Sequence, residues 1–179
     1  MQKYSRIIST GSYLPKKILT NKDLEEMVDT SNEWIIERTG IESRHIASEN
    51  ESSVDMAYNA SINAIKNVDI DSNSIDMIMV ATTTPERKFP STAVVLQNKL
   101  KHNRAFAFDL NAACTGFIYA LDIANTYIKN GVANHVLVVG TEKITSLLDW
   151  SDRNTCVLFG DGAGAAVLAS SDIPGILSN

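Results

Sequence analysis

The chain holds only two cysteines, Cys114 and Cys156, too few for a disulfide framework and in keeping with a reducing compartment. Its three histidines, His45, His102 and His135, show no ligand spacing with those thiols, so no metal site is expected. No apolar run is long enough to span a bilayer. The residues after Met1 (Gln2, Lys3, Tyr4, Ser5, Arg6) lack the apolar core of a secretory signal, and the expected location is the cytoplasm. The formal net charge is −5 with no compensating basic block, which argues against nucleic acid as the main partner. Linkers, low-complexity stretches and short internal repeats are also missing. What remains is a chain of 179 residues, 44% hydrophobic and 21% charged, the composition of an ordinary globular domain.

The pattern along the chain predicts an α/β domain. Residues 4–10 read as a first strand ending at Gly11. Thr20-Asn21-Lys22-Asp23 opens a helix with Leu24, Met27 and Val28 on one face. Ser31 caps a second short helix through Trp34, Ile35 and Arg38, and Gly40 stops it. Ser52-Ser53-Val54-Asp55 fits a capping box for a longer helix. Its dry side is read as Val54, Ala57, Tyr58, Ile62 and Ile65, and its wet side as Asp55, Asn59, Asn63 and Lys66.

Further on, residues 75–81 are expected to be a buried parallel strand, 91–100 a helix, 105–108 a strand and 115–129 an apolar helix. Residues 135–139 read as another buried strand. Residues 156–159 and 163–169 read as a final strand pair around a tight turn at Gly160-Asp161-Gly162. Such an order gives a layered βαβαβαββ unit with a mostly parallel sheet over residues 1–179. The glycines at 160–164 invite a dinucleotide-loop reading. They lie late and are followed by strand, not helix, so close backbone packing is the better account.

The chemistry concentrates at Asn111-Ala112-Ala113-Cys114-Thr115-Gly116-Phe117. A strand ends just before it, and Cys114 is placed in the first turn of the next helix. A helix start carries unpaired N–H groups and partial positive charge, which favour a thiolate. A thiolate there can attack a thioester carbonyl and hold an acyl group. A buried, inert thiol is the plain alternative for Cys114, and the expected role for Cys156. Asp109, Glu142 and Asp161 are candidates for supporting groups.

That heptapeptide resembles the active-site segment of the β-ketoacyl-acyl-carrier-protein synthase III family. The same family's pattern is visible in Asp29-Thr30-Ser31-Asn32-Glu33-Trp34-Ile35, Arg38-Thr39-Gly40-Ile41 and Arg44-His45. It continues in Ala81-Thr82-Thr83-Thr84-Pro85, Phe89-Pro90-Ser91, Asp152-Arg153 and Phe159-Gly160-Asp161-Gly162-Ala163-Gly164-Ala165. The resemblance runs from about residue 7 to residue 177 and implies a thiolase-like layered fold.

It also implies a reaction. An acyl-CoA, commonly acetyl-CoA, acylates Cys114. Malonyl-acyl-carrier protein then loses CO2 and condenses with the acyl group in a Claisen step. By resemblance, Thr30, Trp34, Arg38 and Arg153 contact coenzyme A, and Phe89 caps the acyl pocket of a partner in a homodimer. An indole and a guanidinium can sandwich an adenine, and arginine pairs with phosphate. No permanently bound cofactor is expected; the coenzyme A thioester is a substrate and acyl carrier protein a partner. Alternatives are a related thiolase-fold acyltransferase, a hydroxymethylglutaryl-CoA-synthase-like enzyme, or a non-catalytic dimerisation fragment.

The family's catalytic histidine and asparagine lie in a second half, together with most of the carrier-protein docking surface. No histidine here matches, so this chain is expected to be the N-terminal half of the fold and to lack full activity alone.

Overall fold

The computed structural model describes residues 4–178, the Ser72 side chain aside. The positions Met1, Gln2, Lys3 and Asn179 of the sequence reading lie outside them. Seven strands and five helices follow in the order β1 (Tyr4–Tyr13), β2 (Lys17–Thr20), α1 (Asn21–Glu25), α2 (Asn32–Thr39), β3 (Ser43–Ile46), α3 (Ser53–Lys66), β4 (Met77–Ala81), α4 (Thr92–Leu100), β5 (Phe106–Leu110), α5 (Gly116–Lys129), β6 (His135–Lys143) and β7 (Asp161–Ser171).

A five-stranded sheet runs β1-β7-β6-β4-β5. β4 pairs in parallel with β5 and β6, while β7 is antiparallel to both β6 and β1. β1 therefore shares the direction of β4, β5 and β6, and only β7 runs against them. The mostly parallel α/β layering expected from the sequence is present. β5 forms one edge, paired only with β4.

Helices cover both faces of the sheet. On one face α3 and α4 bury Ala57, Ala60, Ala64, Ala93 and Leu96 against Ile78, Val80, Leu137, Val139 and Val167. On the other, α5 buries Ala120, Ala124 and Ile128 against Met77, Met79, Val136, Val138 and Leu168. The alternation of faces along β4 follows from the two-residue period of a strand. All five β4 side chains are buried, as expected of a strand covered on both sides.

The local signals explain the helix starts. Thr20 and Ser52 form capping boxes with Asp23 and Asp55, and Ser31 and Ser91 accept from the amides of Trp34 and Val94. Gly40, at φ 69°, closes α2 in the left-handed region. On α3 the fully buried side is Val54, Met56, Ala57, Ala60, Ser61 and Ala64, while Tyr58, Ile62 and Ile65 are only half-buried. The sheet selects the small residues because β1 crosses close by. A Cβ on Gly11 would lie 2.3 Å from the Ala64 nitrogen and 2.4 Å from the Ala60 oxygen.

Several boundaries differ from the sequence reading. β1 continues through Gly11 to Tyr13 because β7 pairs with it as far as Ala163. The short β2–β3 sheet was not foreseen. Residues 156–159 are not a strand but a turn whose Cys156 and Val157 pack beneath α1 and α2. There is accordingly one final strand, and Gly162 and Gly164 lie inside it, not in a turn. The close-packing role of these glycines holds: a Cβ on Gly160 would be 2.9 Å from the Arg44 Cβ. Residues 174–178 form no strand. No helix among the described residues is long and apolar enough to cross a membrane.

Candidate active site

β4 and β5 end side by side at Ala81 and Leu110, level with Gly140 of β6, which runs on to Lys143, and the segments leaving them share one edge of the sheet. Parallel α/β sheets generally bind ligands at this carboxyl edge. Cys114 leaves β5 there. It occupies a 3-10 turn, residues Ala113–Thr115, that leads into α5, so it stands just ahead of the helix and not within its first turn. Its side chain is exposed.

The turn is held in an uncommon shape. Ala113 has φ 48°, a left-handed conformation that costs a non-glycine residue energy. Thr115 Oγ donates to the Ala112 carbonyl at 2.8 Å. Gly116 starts α5 in contact with the end of β4: a Cβ there would be 3.3 Å from that of Ala81. Among the described residues no side chain caps α5; the Gly116 amide donates to the Ala113 carbonyl, and the amides of the first turn point towards the Cys114 end of the helix. An exposed thiol beside an uncapped helix start is suited to nucleophilic attack.

Three carboxylates brace this edge. Asp109 on β5 accepts from the amides of Thr92 and Ala93 at 2.8 and 2.7 Å, capping α4 and fixing the strand before Cys114 to the helix that follows the Phe89 loop. Glu142 on β6 accepts from the Thr83 amide at 2.7 Å and the Thr84 hydroxyl at 2.6 Å, which fastens the loop after β4. Asp161 on β7 accepts from the Ala47 and Thr145 amides at 2.8 and 3.0 Å. Each of these three candidates for supporting groups bonds a loop or a helix start.

Trp34, Arg38 and Arg153 meet. The Arg38 and Arg153 guanidinium carbons lie 4.5 and 4.6 Å from the Trp34 ring centroid. Arg153 also stands 3.7 Å from Asp29. Thr30 Oγ is buried and has no hydrogen-bond partner among the described residues. Phe89 projects from the loop before α4 with 88% of its surface exposed.

His102 and His135 stand at the start of β5 and β6, the opposite edge of the sheet. His45 Nδ1 lies 2.5 Å from the Pro15 carbonyl oxygen. Cys156 is fully buried, and burial pushes its thiol up from its ordinary value. The sequence reading names Arg44 only as part of the family pattern; its burial and its bonds to two segments of the Trp34 region appear only in the tertiary structure.

The architecture defines a thiolase-like α/β fold with an exposed cysteine at the carboxyl edge of its parallel strands. The 3-oxoacyl-[acyl-carrier-protein] synthase III family profile matches residues 108–179. β-Ketoacyl-[acyl-carrier-protein] synthase III of Ehrlichia canis is 56% identical over 178 residues, covering 98% of this chain and 56% of the relative. The Xanthomonas oryzae protein of the same name is 53% identical over 175 residues, covering 98% of this chain and 54% of its own.

The crystal structure of 3-oxoacyl-[acyl-carrier-protein] synthase III from Aquifex aeolicus superposes with a TM-score of 0.92 at 53% identity, over 94% of this chain and 55% of that one. The priming β-ketosynthase of the R1128 polyketide pathway gives 0.94 at 42%, over 97% and 52%. Along nearly its whole length the chain is similar to proteins of the β-ketoacyl-[acyl-carrier-protein] synthase III family, and it spans about half the length of the curated relatives it matches.

Proposed function

We propose that this chain supplies the nucleophile and the coenzyme A subsite of an initiating condensing enzyme of fatty-acid synthesis. Cys114 Sγ attacks the thioester carbonyl of acetyl-CoA; the C–S bond to coenzyme A breaks and coenzyme A leaves as its thiol. Malonyl-acyl-carrier protein then loses CO2, and the resulting enolate carbon attacks the acyl-cysteine. A C–C bond forms, the cysteine is released, and a β-ketoacyl-acyl-carrier protein departs. The single observation that carries this reading is the exposed Cys114 at the uncapped start of α5.

The Trp34, Arg38 and Arg153 cluster supports the nucleotide end of the same substrate. An adenine placed against the indole takes the position of one guanidinium, which then stacks on the outer face of the base. The nearby Thr30 hydroxyl, unpaired in this structure, is a hydrogen-bond partner for the same guest. The open β5 edge and the outward Phe89 support a homodimer formed across equivalent edges, with Phe89 entering the neighbour's acyl pocket.

A polypeptide of these 179 residues is expected to take an acyl group slowly and to condense at background rate. Condensation builds an enolate, and losing a single oxyanion donor costs about 10²–10³ in rate. His102 and His135 lie at the opposite edge of the sheet from Cys114. A radiolabelled acetyl-CoA assay with malonyl-acyl-carrier protein, run beside Cys114→Ser, tests this. Ordinary turnover by these residues alone, of order 1–10³ per second, contradicts the placement of the missing donors.

A further inference from the structure

Arg44 is 5% exposed, and among the described residues no carboxylate forms an ion pair with it. A buried guanidinium without a counter-charge is costly, and it persists only where strong hydrogen bonds compensate. Its two terminal nitrogens make such bonds in different directions. Nη1 donates to the Asn21 side-chain oxygen at 2.6 Å, and Nη2 donates to the Val157 carbonyl at 2.5 Å.

Each arm leads to one side of the Trp34–Arg153 contact. Asn21 passes the first arm to α2: its amide nitrogen donates to the Asn32 side chain at 3.1 Å and to the Ile41 carbonyl at 2.8 Å. Asn32 opens α2 two residues before Trp34, and Ile41 follows the Gly40 that closes it. Asn21 thus holds both ends of the helix that presents the indole.

The second arm ends on the turn that carries Arg153. Asp152 organises this turn, accepting from the Thr155 hydroxyl at 2.7 Å and the Asn154 amide at 3.0 Å, and its carbonyl accepts from the Cys156 amide at 3.0 Å. Arg44 fastens the exit of the turn at Val157. Gly160 presses on Arg44 from the other side, since a Cβ there would be 2.9 Å from the Arg44 Cβ. The direct tie between Arg153 and the first segment is weak by comparison, a 3.7 Å ion pair with a fully exposed Asp29.

We propose that Arg44 is the positioning residue of the nucleotide subsite: its planar fork sets the separation between α2 and the residue 152–157 turn at which Arg153 faces Trp34. The inference rests on the coenzyme A reading of Trp34 and Arg153. Lysine does not substitute, because one ammonium on a flexible stem cannot hold two acceptors at fixed angles.

The test uses two independent readouts. Trp34 and Trp150 are the only tryptophans, so in a Trp150→Phe background fluorescence reports Trp34 alone. Arg44→Lys should raise the acrylamide quenching of Trp34 at a temperature where circular dichroism shows the chain folded. Unchanged quenching overturns the proposal, whatever coenzyme A does. Titration calorimetry with coenzyme A supplies the second readout. Arg44→Lys should weaken binding about tenfold, the scale of one lost charged hydrogen bond. In a Trp34→Ala background the same change should add little, because both act on one contact.

Fully additive losses show that Arg44 acts elsewhere and overturn the proposal. Raised quenching together with undiminished coenzyme A binding by Trp34→Ala rejects the coenzyme A reading and leaves the positioning role standing. If Arg44→Lys does not fold, Asn21→Ser removes the first arm instead and is held to the same outcomes.

Discussion

The Arg153 guanidinium faces the Trp34 ring at 4.6 Å although the two residues come from segments far apart in the chain. A short helix and a separate turn are therefore packed so that one aromatic face meets two cations, with Arg38 at 4.5 Å. Trp34→Ala and Arg153→Ala should each weaken coenzyme A binding about tenfold or more, on the scale of a desolvated cation–π or charged contact. Lys129→Ala, at the exposed end of α5, should leave it unchanged. Titration calorimetry separates these outcomes, and equal affinity in all three variants removes the subsite.

Gly11 should not tolerate a side chain. The nearest atoms to an added Cβ are helix backbone atoms at Ala60 and Ala64, which cannot rotate aside. Gly11→Ala should destabilise by about 3 kcal/mol or more, at or above the usual range for overpacking. Urea denaturation measures it; a loss under about 1 kcal/mol would show that β1 and α3 separate readily.

Burial holds the His102 imidazole below its ordinary value, with the nearby Asp71 opposing that shift. The folded chain thus resists protonation at a pH where the unfolded chain accepts it. Its contribution to stability is complete above the unfolded value of about 6.5 and is lost as pH falls from there through the lower folded value. Between pH of about 7.5 and about 5.5, either side of that unfolded value, the urea midpoint of the native chain should drop further than that of His102→Gln. Parallel drops would show that another group governs this window.

The β5 edge should mediate self-association. Among the described residues its outer side has no strand partner, and its Phe106 is 41% exposed. Unpaired edges with apolar side chains recruit further strands. Light scattering at micromolar concentration should find a dimer, and Phe106→Lys should shift it towards monomer. A clean monomer from the unaltered chain contradicts this.

Much of this was legible in the residues because the signals are local. Thr20 with Asp23 and Ser52 with Asp55 announce their helices through contacts three residues apart, and the continuous apolar runs at 77–81 and 136–139 mark two strands. Cys114 could be placed just after a strand for the same reason, whereas the sequence reading puts it in the first turn of the helix that it precedes. The apolar run at 156–159 misled, since its burial comes from α1 and α2 folding over it and not from a sheet. The small-residue face of α3 was likewise set by Gly11 on a distant strand. Arg44 carries no local sign of its burial, because both its partners lie far from it along the chain.

The central claim is that Cys114 is the acyl-accepting nucleophile, and peptide mass mapping after incubation with acetyl-CoA tests it most directly. Cys114 is exposed at an uncapped helix start, whereas Cys156 is buried and its thiol pushed up by that burial. The account predicts a single acetyl group on the peptide containing Cys114, absent from Cys114→Ser and retained in Cys156→Ala. Acetyl carried by Cys156, or an adduct that survives Cys114→Ser unchanged, would contradict it.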